Sequence, residues 1–157
     1  MDKVIIIMGS KSDLDWSKKI SASLKNFGIK VIMHVASAHK IPLRCVELIK
    51  QYEKENVVFI TVAGRSNALS GFSDAQTFCP VIACPPYSEK FGGNDIFSSF
   101  RMPSGVAPML VSEPENAALA AAKILALKNE NLKHRVIEYQ NKMRDILIND
   151  DKEINNG

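Results

Sequence analysis

The sequence predicts a three-layer α/β/α sandwich on a parallel sheet, and three observations point to it. Short β-branched apolar runs alternate with stretches of helical periodicity, the pattern left by repeated strand–helix crossovers. The first run, Val4-Ile5-Ile6-Ile7-Met8, is apolar without alternation, as a strand covered on both faces must be. Polar loops follow three successive runs, at the strand ends where open α/β sheets bind ligands.

Each element has its own signal. After Gly9, Trp16, Ile20, Leu24 and Phe27 form one helical stripe that stops at Gly28, a residue suited to ending a helix. A strand is expected at about 30–35, then a loop, then a helix opened by Pro42 and carrying Val46, Ile49 and Tyr52. The third strand spans 57–63, followed by a weaker helical segment at about 68–76. The fourth, 81–84, is closed by Pro85-Pro86, and Gly92-Gly93 breaks the chain before a polar and aromatic stretch at 95–100. A short strand is expected at 109–111. Ser112 and Glu115 then match a capping box in front of an Ala-rich helix over 113–127, with Pro114 in its first turn. Val136, Tyr139, Met143, Ile146 and Leu147 mark an amphipathic C-terminal helix. The expected organisation is one domain over 1–157, with a core at about 3–128, the extra helix at about 131–150 and a frayed polar tail at 151–157.

Composition narrows the functional classes. A hydrophobic share of 46% with 24% charged residues is ordinary for a globular protein, so disordered and fibrous classes have no support. The net charge of +3 is spread among acidic residues, and no basic stripe points to nucleic acid. No run reaches the roughly 20 apolar residues of a membrane span. Cys45, Cys79 and Cys84 have no CxxC spacing, so neither a disulfide framework nor a zinc site is expected, and a cytoplasmic location is. His34, His39 and His134 lack the i,i+4 pairing of a helical metal site, so no metal is expected.

The candidate chemistry lies in the three loops. Gly9-Ser10-Lys11-Ser12-Asp13 sits between a strand and a helix, where free N–H groups favour an anion such as phosphate. Ser12 or Asp13 equally suits simple helix capping. The loop lacks the glycines of a dinucleotide fingerprint and the Gly-Lys-Ser/Thr ending of a nucleotide-triphosphate loop, so neither NAD nor ATP is expected as a cofactor. Ser37-Ala38-His39-Lys40 brings a hydroxyl, an imidazole and an ammonium together. His39 can accept and donate a proton near neutral pH, and Lys40 can hold an anion, although a loop histidine is as often without a chemical role. Gly64-Arg65-Ser66-Asn67 combines a small residue with polar side chains; it reads either as a ligand loop or as an ordinary strand-to-helix connection.

Taken together, GSKSD at 9–13, SAHK at 37–40, AGRSN at 63–67, the Pro85-Pro86 pair and RMPSG at 101–105 resemble the PurE carboxylases in order and spacing, over about residues 4–127. The resemblance implies a flavodoxin-like sandwich assembled into homo-octamers. Its wording is similar to the branch that uses CO2 directly, because the mutase branch carries a longer AGAGGAAHLPG loop and SAHR where this chain has AGRSNALSG and SAHK. The implied activity is carboxylation of 5-aminoimidazole ribonucleotide (AIR) at C4, without ATP, metal or organic cofactor. Carried over by position, the resemblance makes His39 the catalytic histidine and Ser10 and Asp13 ligands of phosphate and ribose. It gives Ser37 and Lys40 a share of the phosphate, and makes Gly64, Arg65 and Ser66 the lining of the carboxylation site. Three other readings compete: an N5-carboxyaminoimidazole ribonucleotide mutase, a flavodoxin-like FMN carrier and a non-catalytic phosphosugar-binding module. Few aromatic residues near the loops are available to sandwich a flavin.

Overall fold

The computed structural model describes residues 2–155. Five strands, β1 (Lys3–Met8), β2 (Lys30–Val35), β3 (Val57–Val62), β4 (Val81–Ala83) and β5 (Met109–Leu110), form one sheet in the order β2-β1-β3-β4-β5. All four pairings are parallel. Parallel neighbours need crossovers, which α1 (Leu14–Asn26), α2 (Pro42–Tyr52), α3 (Ala68–Asp74) and the short α4 (Phe97–Phe100) help to supply. After β5 come α5 (Pro114–Ala126) and α6 (Glu130–Asn155).

The period-two geometry of β1 divides the core. Val4, Ile6 and Met8 pack with residues of α1, α5 and α6 on one face, while Ile5 and Ile7 pack with α2 and α3 on the other. β3 repeats the division, Val58, Ile60 and Val62 against Val57 and Phe59. This explains why both strands read as unbroken apolar runs. On the first face α1 and α5 pack together, turning inward Ser17 and Ser21 from one helix and Ala117, Ala118, Ala121 and Ala122 from the other. Small side chains of this kind allow close helix approach. Trp16 lies at the edge of this layer, and its Nε1 donates to the Cys84 carbonyl at 3.1 Å.

Three local expectations need correction. The capping box at Ser112 and Glu115 does not form: Glu113 is the N-cap of α5 and makes no side-chain cap bond. Pro114 decides the register, since its fixed φ and missing N–H favour the first helical position. The tail expected to fray after Asp150 is helical through Asn155; no Gly or Pro interrupts 130–155, and the end of the tail, 156–157, lies outside the described residues. In α2 the buried face is Cys45, Leu48, Ile49 and Tyr52, so Val46 stands beside the core stripe instead of in it.

Candidate active site

Strand register brings the three loops level. Met8 pairs with Val35 on one side and Val62 on the other, and the ladder runs one residue further, with Ala36 N–H donating to Met8 O and Gly9 N–H to Val62 O, each at 2.8 Å. The chain therefore leaves β1, β2 and β3 at one height. In this strand order the direction of winding reverses between β1 and β3, which opens a crevice there. Gly9 packs close to the third loop: a Cβ there would stand 3.2 Å from the Ala63 Cβ, a tight contact that one of the two strands would have to shift to accept.

A cleft of about 590 Å³ occupies the crevice. Its wall includes Ser10, Asp13, Ser37, His39, Lys40, Gly64, Arg65 and Ser66, so every site residue expected from the sequence meets in one place. Ser12, Leu69, Pro86 and Ser88 also line it. Pro86 and Ser88 follow β4; Pro86 belongs to the Pro85-Pro86 pair that takes part in the resemblance without a site role, and Ser88 had only its place after the strand as a signal. His34 and His134 do not line the cleft; His34 Nε2 instead lies 3.0 Å from the Tyr52 hydroxyl.

The first loop closes on itself. Ser10 caps a single 3-10 turn, Lys11–Asp13, in a reciprocal capping box. Ser10 N–H donates to Asp13 Oδ2 at 3.0 Å, Ser12 N–H donates to Ser10 Oγ at 3.2 Å, and the Ser10 and Ser12 hydroxyls are bonded to each other. Capping and ligand binding thus involve the same residues, and three amides of the turn, those of Ser10, Ser12 and Asp13, are already engaged. The remaining polar resources are the serine hydroxyls and the exposed Lys40 across the cleft. Burial pushes the Asp13 carboxyl above its ordinary value, against the opposing pull of its bonds from Ser10.

The second loop is also closed locally, by Lys40 N–H donating to Ser37 Oγ at 3.3 Å and Ile41 N–H to Ser37 O at 2.9 Å. His39 is exposed in that turn, accessible to a ligand in the cleft. The third loop differs, because Arg65 has φ 61°, the left-handed region that a residue with a Cβ adopts only under constraint. Among the described residues no cluster of three or more His, Cys, Asp or Glu side chains is placed to hold a metal. Among the described residues no helix is long and apolar enough to cross a membrane.

Comparison with known proteins places these features in a family. A family model described as AIR carboxylase matches residues 3–146. A phosphoribosylaminoimidazole carboxylase from Archaeoglobus fulgidus is 66% identical over 151 residues, covering 96% of this chain and 84% of that protein. Another from Treponema denticola is 46% identical, covering 96% of each. The crystal structure of Treponema denticola PurE superposes with a TM-score of 0.95 at 46% identity over 98% of both chains.

Proposed function

The chain belongs to the AIR carboxylase family, and from that premise we propose that it converts AIR and CO2 into 4-carboxy-5-aminoimidazole ribonucleotide, a step of purine biosynthesis, without ATP. The observation that carries the reading is the convergence of all eight expected residues on one cleft. The cleft has an anion-binding side, formed by the Ser10 and Ser12 hydroxyls with Ser37 and Lys40, and a second polar side formed by Gly64, Arg65 and Ser66. His39 lines the same wall.

In this reading phosphate binds to the serine hydroxyls and Lys40, while Asp13 accepts hydrogen bonds from the ribose hydroxyls. The amino group makes C4 of the imidazole an enamine carbon, nucleophilic enough to attack CO2 once the two are held together. A C4–carbon bond forms, and the electron pair of one C=O bond moves to oxygen as carboxylate. C4 then carries both a proton and the new carboxylate. His39 removes the proton, the C4–H electron pair returns to the ring, and aromaticity is restored; in reverse the imidazolium returns the proton. The Ser66 hydroxyl and the Arg65 guanidinium stabilise the carboxylate.

We place the protein in the cytoplasm as a homo-octamer. The exposed Ile137, Ile146, Leu147 and Ile148 of α6 support self-association, and light scattering measures it. The deciding test of function is product formation from AIR at varied bicarbonate in the absence of ATP. Turnover that requires N5-carboxylated substrate and ignores bicarbonate would instead make the protein a mutase. A flavin carrier would purify coloured, and a binding module would hold AIR without turnover.

A further inference from the structure

Two of the cleft's three loops are closed by their own hydrogen bonds, whereas the third, besides its local bonds from Ala68 N–H to Ser66 O and from Ser70 N–H to Asn67 Oδ1, is also held from outside. Arg65 N–H donates to Asp95 Oδ2 at 3.1 Å, thirty positions along the chain. Asn67 N–H donates to Ser98 Oγ at 2.9 Å, and Asn67 Nδ2 donates to Ser99 Oγ at 2.9 Å. The Ser98 hydroxyl proton goes to the Asp95 carbonyl at 2.7 Å. Both neighbours of Ser66 are therefore pinned to the segment carrying α4, and none of Asp95, Ser98 and Ser99 lines the cleft. Asp95 lies close to the start of this loop: a Cβ built on Gly64 would be in ordinary van der Waals contact with Asp95 Oδ2, at 3.8 Å.

The pinned loop contains the strained residue. Arg65 is the one non-glycine residue with positive φ among the described residues, and such a conformation persists only where the surroundings over-determine it. We infer that Asp95 is a positioning residue for the CO2 end of the site, its carboxylate holding Arg65 left-handed so that Arg65 and Ser66 stay on the cleft wall. The inference rests on the proposed reading of loop 64–66 as the carboxylation end. Since the Ser10–Asp13 and Ser37–Lys40 loops close locally, loss of the Asp95 contact is felt at the CO2 end and not at the phosphate end.

The test uses the full-length protein in steady-state kinetics with AIR and bicarbonate varied separately. Asp95→Ala is expected to raise KM for CO2 about tenfold while KM for AIR stays within about twofold, the signature of losing one hydrogen-bond acceptor at one end of the site. Asp95→Asn retains an acceptor oxygen and is expected to remain within about threefold of wild type. Ser98→Ala, which removes the acceptor for Asn67 N–H, moves the CO2 KM in the same direction and serves if Asp95→Ala does not fold. Amide hydrogen exchange without ligand gives an independent readout, with Arg65 expected to exchange faster in Asp95→Ala. Equal rises in both KM values, no rise in either, Asp95→Asn as impaired as Asp95→Ala, or unchanged exchange at Arg65 would each overturn the inference. Absence of wild-type carboxylation would sink the functional reading instead, and the exchange measurement would still judge the Asp95 latch.

Discussion

Replacing His39 by Asn separates chemistry from folding more cleanly than any other change in the cleft. The turn around His39 is closed by Ser37, which accepts from Lys40 N–H and Ile41 N–H, and the imidazole itself is exposed. A substitution at such a position changes stability by no more than about 0.5 kcal/mol, equivalent to a Tm shift of at most about 2 °C in a chain this size. A positioned general base contributes about 10²–10⁴-fold, or about 2.7–5.4 kcal/mol of barrier at about 1.36 kcal/mol per tenfold. His39→Asn should therefore lose about two to four orders of magnitude in turnover with its melting curve unmoved and its KM for AIR nearly unchanged. Incorporation of labelled bicarbonate into AIR measures the forward rate, and release of label from the carboxylated product measures the reverse. Forward and reverse kcat/KM must fall by the same factor, because a substitution in the catalyst leaves the overall equilibrium unchanged. Unaltered turnover would refute the assignment, as would a loss of activity matched by a fall in Tm.

Asp13 ties stability to pH. Burial raises its carboxyl above the ordinary 3.8, with the Ser10 bonds opposing, so the folded state binds this proton more tightly than the unfolded state does. That contribution is fully present below the unfolded value and is lost as pH rises through the folded one. Asp13→Asn keeps an acceptor for Ser10 N–H and carries no charge, so its Tm relative to wild type should rise between about pH 3 and about pH 7; a pH-independent difference would contradict this. The three cysteines are all buried, and burial pushes each thiol up, Cys84 to about 12. Since thiolate is the reactive form, a thiol reagent at about pH 8 should label none of them in the native protein and all of them in denaturant. Stoichiometric native labelling at any one site would show the burial to be wrong. Gly9→Ala would force its Cβ to 3.2 Å from the Ala63 Cβ at the cleft floor; denaturant titration should show a loss of about 1–3 kcal/mol. An unchanged midpoint would mean that β1 and β3 can separate there at no cost.

Much of the fold was legible because its signals are local and redundant. β1 and β3 announce burial on both faces through unbroken β-branched runs, and α1 shows its stripe and its glycine stop together. The failures also have local causes. Ser112-x-x-Glu115 matches a capping box, but Pro114 claims the first helical position and moves the cap to Glu113. The box that does form, Ser10 with Asp13, uses a shorter acid in a single 3-10 turn, and the sequence pointed to Ser12 or Asp13 as the cap, with Ser10 read only as a ligand. Within the cleft, residues inside polar motifs were visible, whereas Pro86 read only as the residue that closes a strand and Ser88 had only its place after it. Asp95 had no signal at all. Its partner is an amide thirty residues away, and the left-handed backbone it supports at Arg65 cannot be read from Gly-Arg-Ser-Asn, which looks like any polar loop.

How the cleft is held follows the unequal handles its two proposed substrates offer. A phosphorylated nucleotide brings charge and hydroxyls, so its own binding energy can complete a loop that needs only local closure, as Ser10–Asp13 and Ser37–Lys40 have. Binding energy from that remote end holds the imidazole in place for reaction. CO2 brings three atoms and no net charge, so it can order very little by itself. The groups that must meet the new carboxylate have to be in place beforehand, since donors that reorganise during the reaction lose most of their value. A loop fixed from outside, at the cost of a left-handed Arg65, meets that requirement. The strain therefore belongs at the end of the cleft where the substrate can contribute least to its own positioning.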